Sequence, residues 1–279
     1  QFDITEMVKV WYTNGKAYGV MLKDRVESGN YNEYLSSDSG DDLAELRPKV
    51  FIKYVNYTGL QQYWTYHSQD IRRAGTVSIN DYNGNLIFKH MVDAISGNRM
   101  PYELYLVYNS NDRDVDLGYG KGFRLNYHQM LLSRTIEDTQ YYEWTDGTGS
   151  KHYFKWDKDK SKWLDEDNSD YELTMGSSAS EKYTDKDNNN GRLIFNSSGY
   201  LCQCKDSNNN VLTISYGDNH IQSVTDGVGR KLTMVYMNGH LSSVTNPAGR
   251  FKSFVYMDGC LNGIQDFDGK EIFLTTTNG

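Results

Sequence analysis

A repeat of twenty residues at the end of the chain restricts its fold more than any other feature. Leu201, Ile221, Leu241 and Leu261 follow one another at this interval. Three further columns keep the same register: Asp206, Asp226, Asn246 and Asp266; Asn209, Gly229, Gly249 and Gly269; and Tyr216, Tyr236 and Tyr256. Self-similarity at a fixed period predicts one supersecondary unit that stacks on copies of itself.

Each repeat contains two kinds of turn. The first reads Asp/Asn-x-x-Gly, as in "DGVG", "NPAG" and "DFDG", which is typical of a type I turn. The second is a two-residue loop, at Asp218-Asn219, Asn238-Gly239 and Asp258-Gly259, and favours a type I′ hairpin because these residues accept positive φ. With β-branched and aromatic residues between the turns, the pattern predicts an antiparallel meander of strands about six residues long.

The two strands of each repeat differ in their patterning. Leu232, Met234 and Tyr236 alternate with other residues and therefore share one face of a strand. Leu241 and Val244 are three residues apart, which in a flat strand places them on opposite faces. Two explanations remain open here, namely a β-bulge that reverses the alternation and a strand covered on both faces.

The same turn signals recur upstream of the repeats. "TDGTGSKHYF" from Thr145 parallels "TDGVGRKLTM" from Thr225, and "DYNGNLIF" from Asp81 is a turn followed by a strand. No helical periodicity is sustained, although Asp3 or Thr5 is suited to cap a turn or two of helix in "FDITEMVKVWY". The sequence therefore predicts an all-β fold, an antiparallel hairpin meander.

Composition excludes several classes of protein. Hydrophobic residues make up 38% of the 279 residues and aromatic residues 14%, which argues against disorder. The net charge of −8 and the absence of a basic patch argue against a nucleic-acid partner. No apolar run is long enough for a membrane span. Cys202, Cys204 and Cys260 are an odd set, for which free and mostly buried thiols are expected.

The repeat motif resembles that of the RHS/YD-repeat family. "GHLSSVTNPAGRFKSFVY", residues 239–256, fits the family pattern at nearly every anchor, and the likeness extends over residues 180–279. Upstream, "YTGLQQYWTYHSQD" and "SGNRMPYELYLVYNSND" are similar to the segment that precedes the repeats in wall-associated RHS proteins of Gram-positive bacteria. "FDITEMVKVWYTNGKAYGVMLK" resembles the end of a DNRLRE-type β-sandwich domain.

The resemblance implies three regions: the C-terminal part of a β-sandwich (1–54), a pre-repeat β region (55–179) and the YD repeats (180–279). In this family the repeats form a curling sheet that closes into a shell around a C-terminal toxin, and more distantly they support adhesion in teneurins. We therefore expect a non-enzymatic scaffold, the N-terminal portion of such a shell, in a secreted or wall-associated bacterial protein. Since the chain starts at "QFDIT" and ends within a repeat, we also expect it to be part of a longer polypeptide.

Several motifs suggest chemistry, and each has a simpler structural interpretation. "GYGKGF", residues 118–123, is rich in glycine but lacks Gly-Lys-Ser/Thr, so a turn leading into a strand is expected. Asp157, Asp159, Ser161 and Asp165 have calcium-loop spacing, but Lys162 replaces the required glycine. His220 and His240 share one repeat position and are expected to form a ladder at the rim of the sheet. We expect no catalytic set, no cofactor and no metal ion.

Aromatic residues suggest a second hypothesis for function. Trp64, Trp144 and Trp163 lie in aromatic-rich stretches and are candidate glycan contacts, although packing between strands explains such residues as well. The expected partners are thus the remainder of the polypeptide, with downstream repeats and a toxin, and also a cell-wall glycan or surface receptor. The alternative function is a module for adhesion or carbohydrate binding. A β-fold hydrolase using two carboxylates, for instance in "LDEDNSD" (164–170), ranks third.

Overall fold

The computed structural model describes residues 4–16, 19–20, 40, 47–48, 59–61, 64–136, 138–165, 171–175, 180–184 and 191–275. The chain divides into two compact units, residues 1–53 and 54–279. The described part of the first unit contains one helix, α1, Thr5–Asn14. With 10 residues it is longer than the one or two turns predicted there. Most of the predicted β-sandwich segment lies outside the described residues.

The second unit begins with a five-stranded antiparallel sheet, as far as the described residues go, in which the strands follow chain order. Its strands are β1 (Tyr66–Asp70), β2 (Thr76–Asn80), β3 (Leu86–Ala94), β4 (Glu103–Asn109) and β5 (Phe123–Leu125). The turn predicted at Asp81 joins β2 to β3, and Asn80 Oδ1 fixes it by accepting from Tyr82 N at 2.9 Å and Asn83 N at 3.1 Å.

A second antiparallel sheet of fifteen strands, counted over the described residues, continues in chain order to the end. Its first half contains β6 (Met130–Ile136), β7 (Thr139–Thr145), β8 (Lys151–Asp157), β9 (Lys162–Asp165), β10 (Tyr171–Met175), β11 (Ser180–Thr184) and β12 (Arg192–Phe195). The repeats supply β13 (Leu201–Lys205), β14 (Val211–Gly217), β15 (His220–Thr225), β16 (Lys231–Met237), β17 (His240–Thr245), β18 (Phe251–Met257), β19 (Cys260–Gln265) and β20 (Glu271–Phe273). The predicted all-β fold is confirmed.

The Asp-x-x-Gly turns form because their first side chain binds the backbone that follows it. Asp226 Oδ1 accepts from Val228 N at 3.0 Å and from Arg230 N at 2.8 Å. The amide of Gly229, which has φ +89°, closes the turn on the Asp226 carbonyl at 3.1 Å. The same pair of side-chain bonds recurs at Asp146, Asn196, Asp206 and Asn246. Each of these turns is therefore specified by residues within five positions of its start.

The two-residue loops also have the predicted geometry. Asn238 and Gly239 have φ values of +51° and +80°, and Asp258 and Gly259 have +51° and +77°. Positive φ at both central positions defines the type I′ turn, whose twist matches that of the paired strands.

A β-bulge explains the three-residue spacing of Leu241 and Val244. The residues on either side of Ser242 pair with the consecutive residues Val235 and Tyr236 of β16, which leaves Ser242 without a residue opposite. One extra residue reverses the alternation, and both Leu241 and Val244 are fully buried. Bulges occupy the same repeat position at Cys202, Gln222 and Asn262. Of the two explanations left open by the sequence, the bulge is correct.

The bulge also separates two neighbouring cysteines. Cys202 occupies the bulge and is half-buried, as is Cys260, whereas Cys204 is buried. All three are free thiols, but the expectation that they are mostly buried holds for Cys204 alone. Burial, and then the neighbouring Cys202, raise the pKa of the Cys204 thiol to about 12.

One face of the fifteen-stranded sheet packs against the five-stranded sheet in a single core. The repeat-defining residues Leu201, Ile221, Leu241 and Leu261 are at most 2% exposed. They share this core with residues of the region containing β3 to β5, among them Val92, Tyr102, Leu104, Leu106 and Leu125. Burial of a side chain of this size stabilises a fold by roughly 1.5–3 kcal/mol, so the periodic column supplies the same stabilising contact in every repeat.

The fifteen-stranded sheet curls, so that its first strand meets the start of the repeats. Met130 of β6 forms an antiparallel bridge with Tyr200, directly before β13. Leu131 N donates to Gly199 O at 2.8 Å, and Leu201 N donates to Gln129 O at 3.0 Å. Strands that are seven positions apart in the sheet order therefore touch.

The boundary expected between residues 179 and 180 falls inside this sheet, between the paired strands β10 and β11.

Candidate functional site

A glycine-rich segment, residues 116–122, crosses the hairpin ends of the repeats. Leu241 N donates to Gly118 O at 2.8 Å, and Lys121 N donates to Gly259 O at 3.1 Å. Gly118 has φ +87°, and a Cβ added there would lie 2.4 Å from His220 Nε2. Only glycine combines this conformation with so close an approach. The segment leads into β5, as predicted, and its contact with the repeats accounts for its glycine content.

A ladder of rings lines the rim where this segment meets the repeats. Tyr200, His220 and His240 occupy the same repeat position, and each ring packs at a tilt against the tyrosine of the next hairpin. The centroid distances are 4.8, 4.7 and 4.7 Å to Tyr216, Tyr236 and Tyr256, respectively. The expected ladder is therefore present, and the packing partner of each imidazole is a tyrosine. These tyrosines are the fourth repeat column, so the ladder follows directly from the sequence period.

A cleft of about 540 Å³ separates the ladder from the crossing segment. Its polar lining includes Asp116, His128, Tyr200, His220 and His240. His240 Nε2 lies 2.8 Å from Asp116 Oδ2, which ties one hairpin end to the segment. Across the described ranges, no three His, Cys, Asp or Glu side chains come together to hold a metal ion. The cleft offers imidazole and carboxylate groups to a small polar ligand.

His128 forms the buried end of this cleft. It is 3% exposed, and its Nδ1 lies 2.9 Å from the hydroxyl of the fully buried Tyr119. Burial, followed by the charges of Arg124 and His220, lowers the pKa of His128 to about 3. The imidazole is therefore neutral near pH 7 and acts as a hydrogen-bonding group that anchors Tyr119 beneath the repeats.

A second cleft, of about 570 Å³, lies between β4 and the turn after β7. Tyr105, Tyr127 and Trp144 contribute aromatic walls. Lys89 Nζ lies 3.6 Å from the centroid of the Tyr105 ring, and the Tyr105 hydroxyl donates to Glu103 Oε2 at 3.2 Å. Apolar walls with a few placed polar groups are typical of small-molecule sites, so this cleft is the other candidate site.

The three tryptophans predicted as candidate glycan contacts lie in different environments. Trp144 is 4% exposed and donates from Nε1 to Gln129 Oε1 at 3.0 Å, so it belongs to the core. Trp64 is half-buried and stacks on Tyr82 with a centroid distance of 4.8 Å. Trp163 is half-buried and meets the Tyr142 ring edge-on at 4.8 Å. Packing explains Trp144 in full and the other two in part.

One exposed tryptophan was not among the residues predicted from the sequence as candidate glycan contacts. Trp156 is 44% exposed and lies directly across the β8–β9 hairpin from Trp163, with the rings 5.6 Å apart. The signal that identifies this pair is the symmetric position of the two residues around the turn of "WDKDKSKW". Recognition of that hairpin gives the cross-strand pair directly.

A histidine between two carboxylates was also not among the candidate site residues predicted from the sequence. His152 Nε2 lies 3.5 Å from Asp146 Oδ2, and its Nδ1 lies 3.7 Å from Asp165 Oδ2. Trp144 stacks on the imidazole at 4.4 Å. Although burial opposes it, hydrogen bonds from His152 and Thr148 hold the pKa of Asp146 below its ordinary value. Asp146 lines the second cleft, but the Asp165 side chain is fully buried, so the two carboxylates do not both face a cleft as a glycosidase pair must.

A buried lysine connects the last repeats to the five-stranded sheet. Lys252 is 3% exposed, and its Nζ contacts His90 Nε2 at 3.2 Å, Met91 O at 3.1 Å and Asp266 Oδ1 at 3.3 Å. Arg73 binds the same turn through Asp268 Oδ1 at 2.9 Å. The sequence contains no signal for this cluster, because His90 and Met91 lie more than 150 residues from Lys252.

No protein-family model matches the chain, and no curated protein matches it. Over the described residues, no helix has both the length and the apolar character that a membrane crossing requires.

Proposed function

We propose that this chain is a non-enzymatic structural scaffold, the N-terminal portion of an RHS/YD-type β-shell. In the proposal, the shell encloses or presents a C-terminal toxin in a secreted or wall-associated bacterial protein. The observation that carries it is the continuous fifteen-stranded sheet, which follows chain order and curls until Met130 meets Tyr200. A sheet that extends and bends in this way is suited to surround a volume.

Two features of the repeats support a scaffold. Each hairpin pairs with the hairpins before and after it, so a sheet of this kind lengthens in one dimension by adding units. Separate compact hairpins without a connecting sheet would have contradicted the hypothesis. The edge strand β20 offers backbone groups to a further strand, which in this proposal belongs to the remainder of the polypeptide.

The test is the structure of the polypeptide encoded by the complete gene, determined by cryo-electron microscopy. We expect further hairpins to continue from β20 and to close around an internal volume occupied by polypeptide. An open, solid or branched arrangement without an enclosed volume would contradict the proposal. Matched particles of the chain truncated after its last repeat serve as the control, since they should contain an empty interior.

The second candidate function is adhesion or carbohydrate binding, and one observation favours it. The exposed Trp156 forms a cross-strand pair with the half-buried Trp163, and such aromatic faces stack well on sugar rings. A glycan array on the chain tests this function. Binding that is lost in Trp156→Ala and Trp163→Ala, but kept in Trp64→Ala, would establish the pair as the contact surface. Trp144→Ala is the structural control, because it should lower stability whether or not glycan binds.

A further inference from the structure

The repeats present apolar side chains on the face opposite the core. We refer to these residues as the open face: Val235, Met237, Phe251, Val255, Met257 and Phe273. Each is between 49% and 74% exposed. Scattered apolar residues are normal on a protein surface, but a contiguous patch indicates an interaction site.

Sheet register places the residues of the open face on three alternate strands, β16, β18 and β20. Val255 of β18 lies beside Gly263 of β19, which lies beside Phe273 of β20. In another row, Val235 of β16 lies beside Ser243 of β17, which lies beside Ser253 of β18. The large apolar side chains of the open face therefore lie on β16, β18 and β20, and Ser243 and Gly263 lie on the strands between them.

This alternation makes a surface of ridges and furrows. Neighbouring strands are about 4.8 Å apart, so ridges on every second strand recur at about 10 Å. The spacing follows from the twenty-residue period, because each repeat contributes one ridge strand and one furrow strand. Furrows have the same spacing as ridges. A surface of this kind is complementary to a copy of itself displaced by one strand.

We propose that the open face is an interface between two copies of this chain. The copies pack face to face, with the ridge strands β16 and β18 of one copy above the furrow strands β19 and β17 of the other. A two-fold axis parallel to the strands, between β17 and β18, produces this arrangement. Stacked sheets with interdigitated side chains are a common packing in proteins.

The size of the open face is sufficient for such an interface. Six large side chains, each more than half exposed on average, present on the order of 500 Å² of apolar surface. Two copies together bury about 1,000 Å² before any polar rim is counted, which reaches the lower limit of specific interfaces. The proposal is independent of the shell function, since it requires only the residues of the last three ridge strands.

The charge pattern agrees with a self-association surface. The six apolar residues of the open face are uncharged; Lys231 lies at the start of the ridge strand β16, and Glu271 lies on the last strand, β20, in the row of Val235. Interface centres are depleted in charge. The net charge of −8 repels a second copy over long range, so added salt should strengthen the dimer by screening.

The experiment is sedimentation velocity of the chain at concentrations from 1 to about 300 µM, a range that spans ordinary dimer affinities. We expect a monomer–dimer equilibrium that shifts at least tenfold toward monomer in Val255→Lys and in Ser243→Lys. Val228→Lys is the matched control, because Val228 is 55% exposed in a turn outside the open face, and its dimerisation should be unchanged. Circular dichroism and a melting curve for each variant check that the fold is retained.

Several results would overturn the proposal. One is a chain that remains monomeric through this range at 0.5 M salt, including one that binds lipid vesicles or an apolar peptide instead. Another is a dimer that survives Ser243→Lys, because Ser243 lies three strands from the sheet edge and its substitution leaves pairing between β20 edges intact. Loss of the dimer in both lysine variants, with the control unaffected, supports the face-to-face arrangement.

Discussion

The two halves of the fifteen-stranded sheet depend on different kinds of contact. In the repeats, β13 to β20, the turns are held by their own first residue, and the hairpin loops by their own backbone conformation. The preceding half, β6 to β12, has the same kind of turn at Asp146 and adds side-chain contacts between neighbouring strands, such as those of His152 with Asp146 and Asp165. Contacts within a turn can be copied with each repeat, whereas contacts between particular side chains on different strands tie a region to one position in one fold.

The largest expected effect concerns the core column of the repeats. Leu241→Ala should lower the free energy of unfolding by about 3 kcal/mol, because Leu241 is fully buried and the substitution leaves a cavity. Val235→Ala, on the exposed side of the neighbouring strand, should change it by less than about 0.5 kcal/mol. Urea denaturation of the two variants measures the difference, and equal effects would contradict the one-sided core.

Acid should weaken the anchor between the last repeats and the five-stranded sheet. Burial, and then the charge of Lys252, lower the pKa of His90 to about 4, while Asp266 and the Ala74 carbonyl act in the opposite direction. In the unfolded chain this pKa is about 6.5. The stabilising contribution is therefore complete above pH 6.5 and decreases as the pH falls toward 4, where about 3 kcal/mol is lost.

Unfolding curves at pH 7, 5.5 and 4 test this expectation. His90→Gln should flatten the pH dependence over that range. Identical pH profiles for the wild type and His90→Gln would show that the folded state does not hold His90 neutral.

A smaller effect is expected for a turn residue of the repeats. Asp226→Ala should cost about 1–2 kcal/mol, because it removes two backbone hydrogen bonds and the contact of Oδ2 with Arg230 Nε at 2.6 Å. Asp226→Asn keeps an oxygen acceptor and should cost less than the alanine variant. Thermal melting of both variants separates the hydrogen bonds from the ion pair, and an equal loss would assign the whole effect to charge.

The smallest expected effect compares an irregular repeat with its neighbours. Asn209 has φ +60° at the position where Gly229, Gly249 and Gly269 lie. Asn209→Gly should change the free energy of unfolding by less than about 0.5 kcal/mol, since both residues accept this conformation. Asn209→Ala should cost about 1 kcal/mol. Calorimetry that finds glycine and alanine equivalent would indicate that positive φ is not required in this repeat.

Much of the fold follows from the sequence, for reasons that these residues make clear. Local chemistry determines the turns after Asp226 and Asn246 and the hairpin at Asn238-Gly239. These turns could therefore be predicted from the sequence. The bulge at Ser242 was one of two explanations for the three-residue spacing of Leu241 and Val244. The sequence shows this spacing but does not show which residues of β16 pair with β17. The curl that joins Met130 to Tyr200 had no local signal, since it depends on strand twist accumulated over many strands.

The candidate sites were harder to predict than the fold. The ladder of His220 and His240 was expected from their shared repeat position, although their packing against tyrosines was not. Burial of Trp144 could not be deduced, because an aromatic residue in a strand is equally suited to a core and to a surface. The contact between Lys252 and His90 joins two sheets, and only the tertiary packing of those sheets brings the residues together.

The bulge at every twentieth residue constrains how a chain of this kind can change in length. Because one unpaired residue restores the inward direction of the next apolar side chain, pairing Ser242 in a regular ladder would turn Val244 outward and leave Ser243 to face the core. Insertion of a whole repeat preserves every inward direction, whereas insertion or loss of a single paired residue within a strand reverses all that follow up to the next turn or bulge. Duplication of complete repeats is thus the gene rearrangement that leaves such a sheet intact.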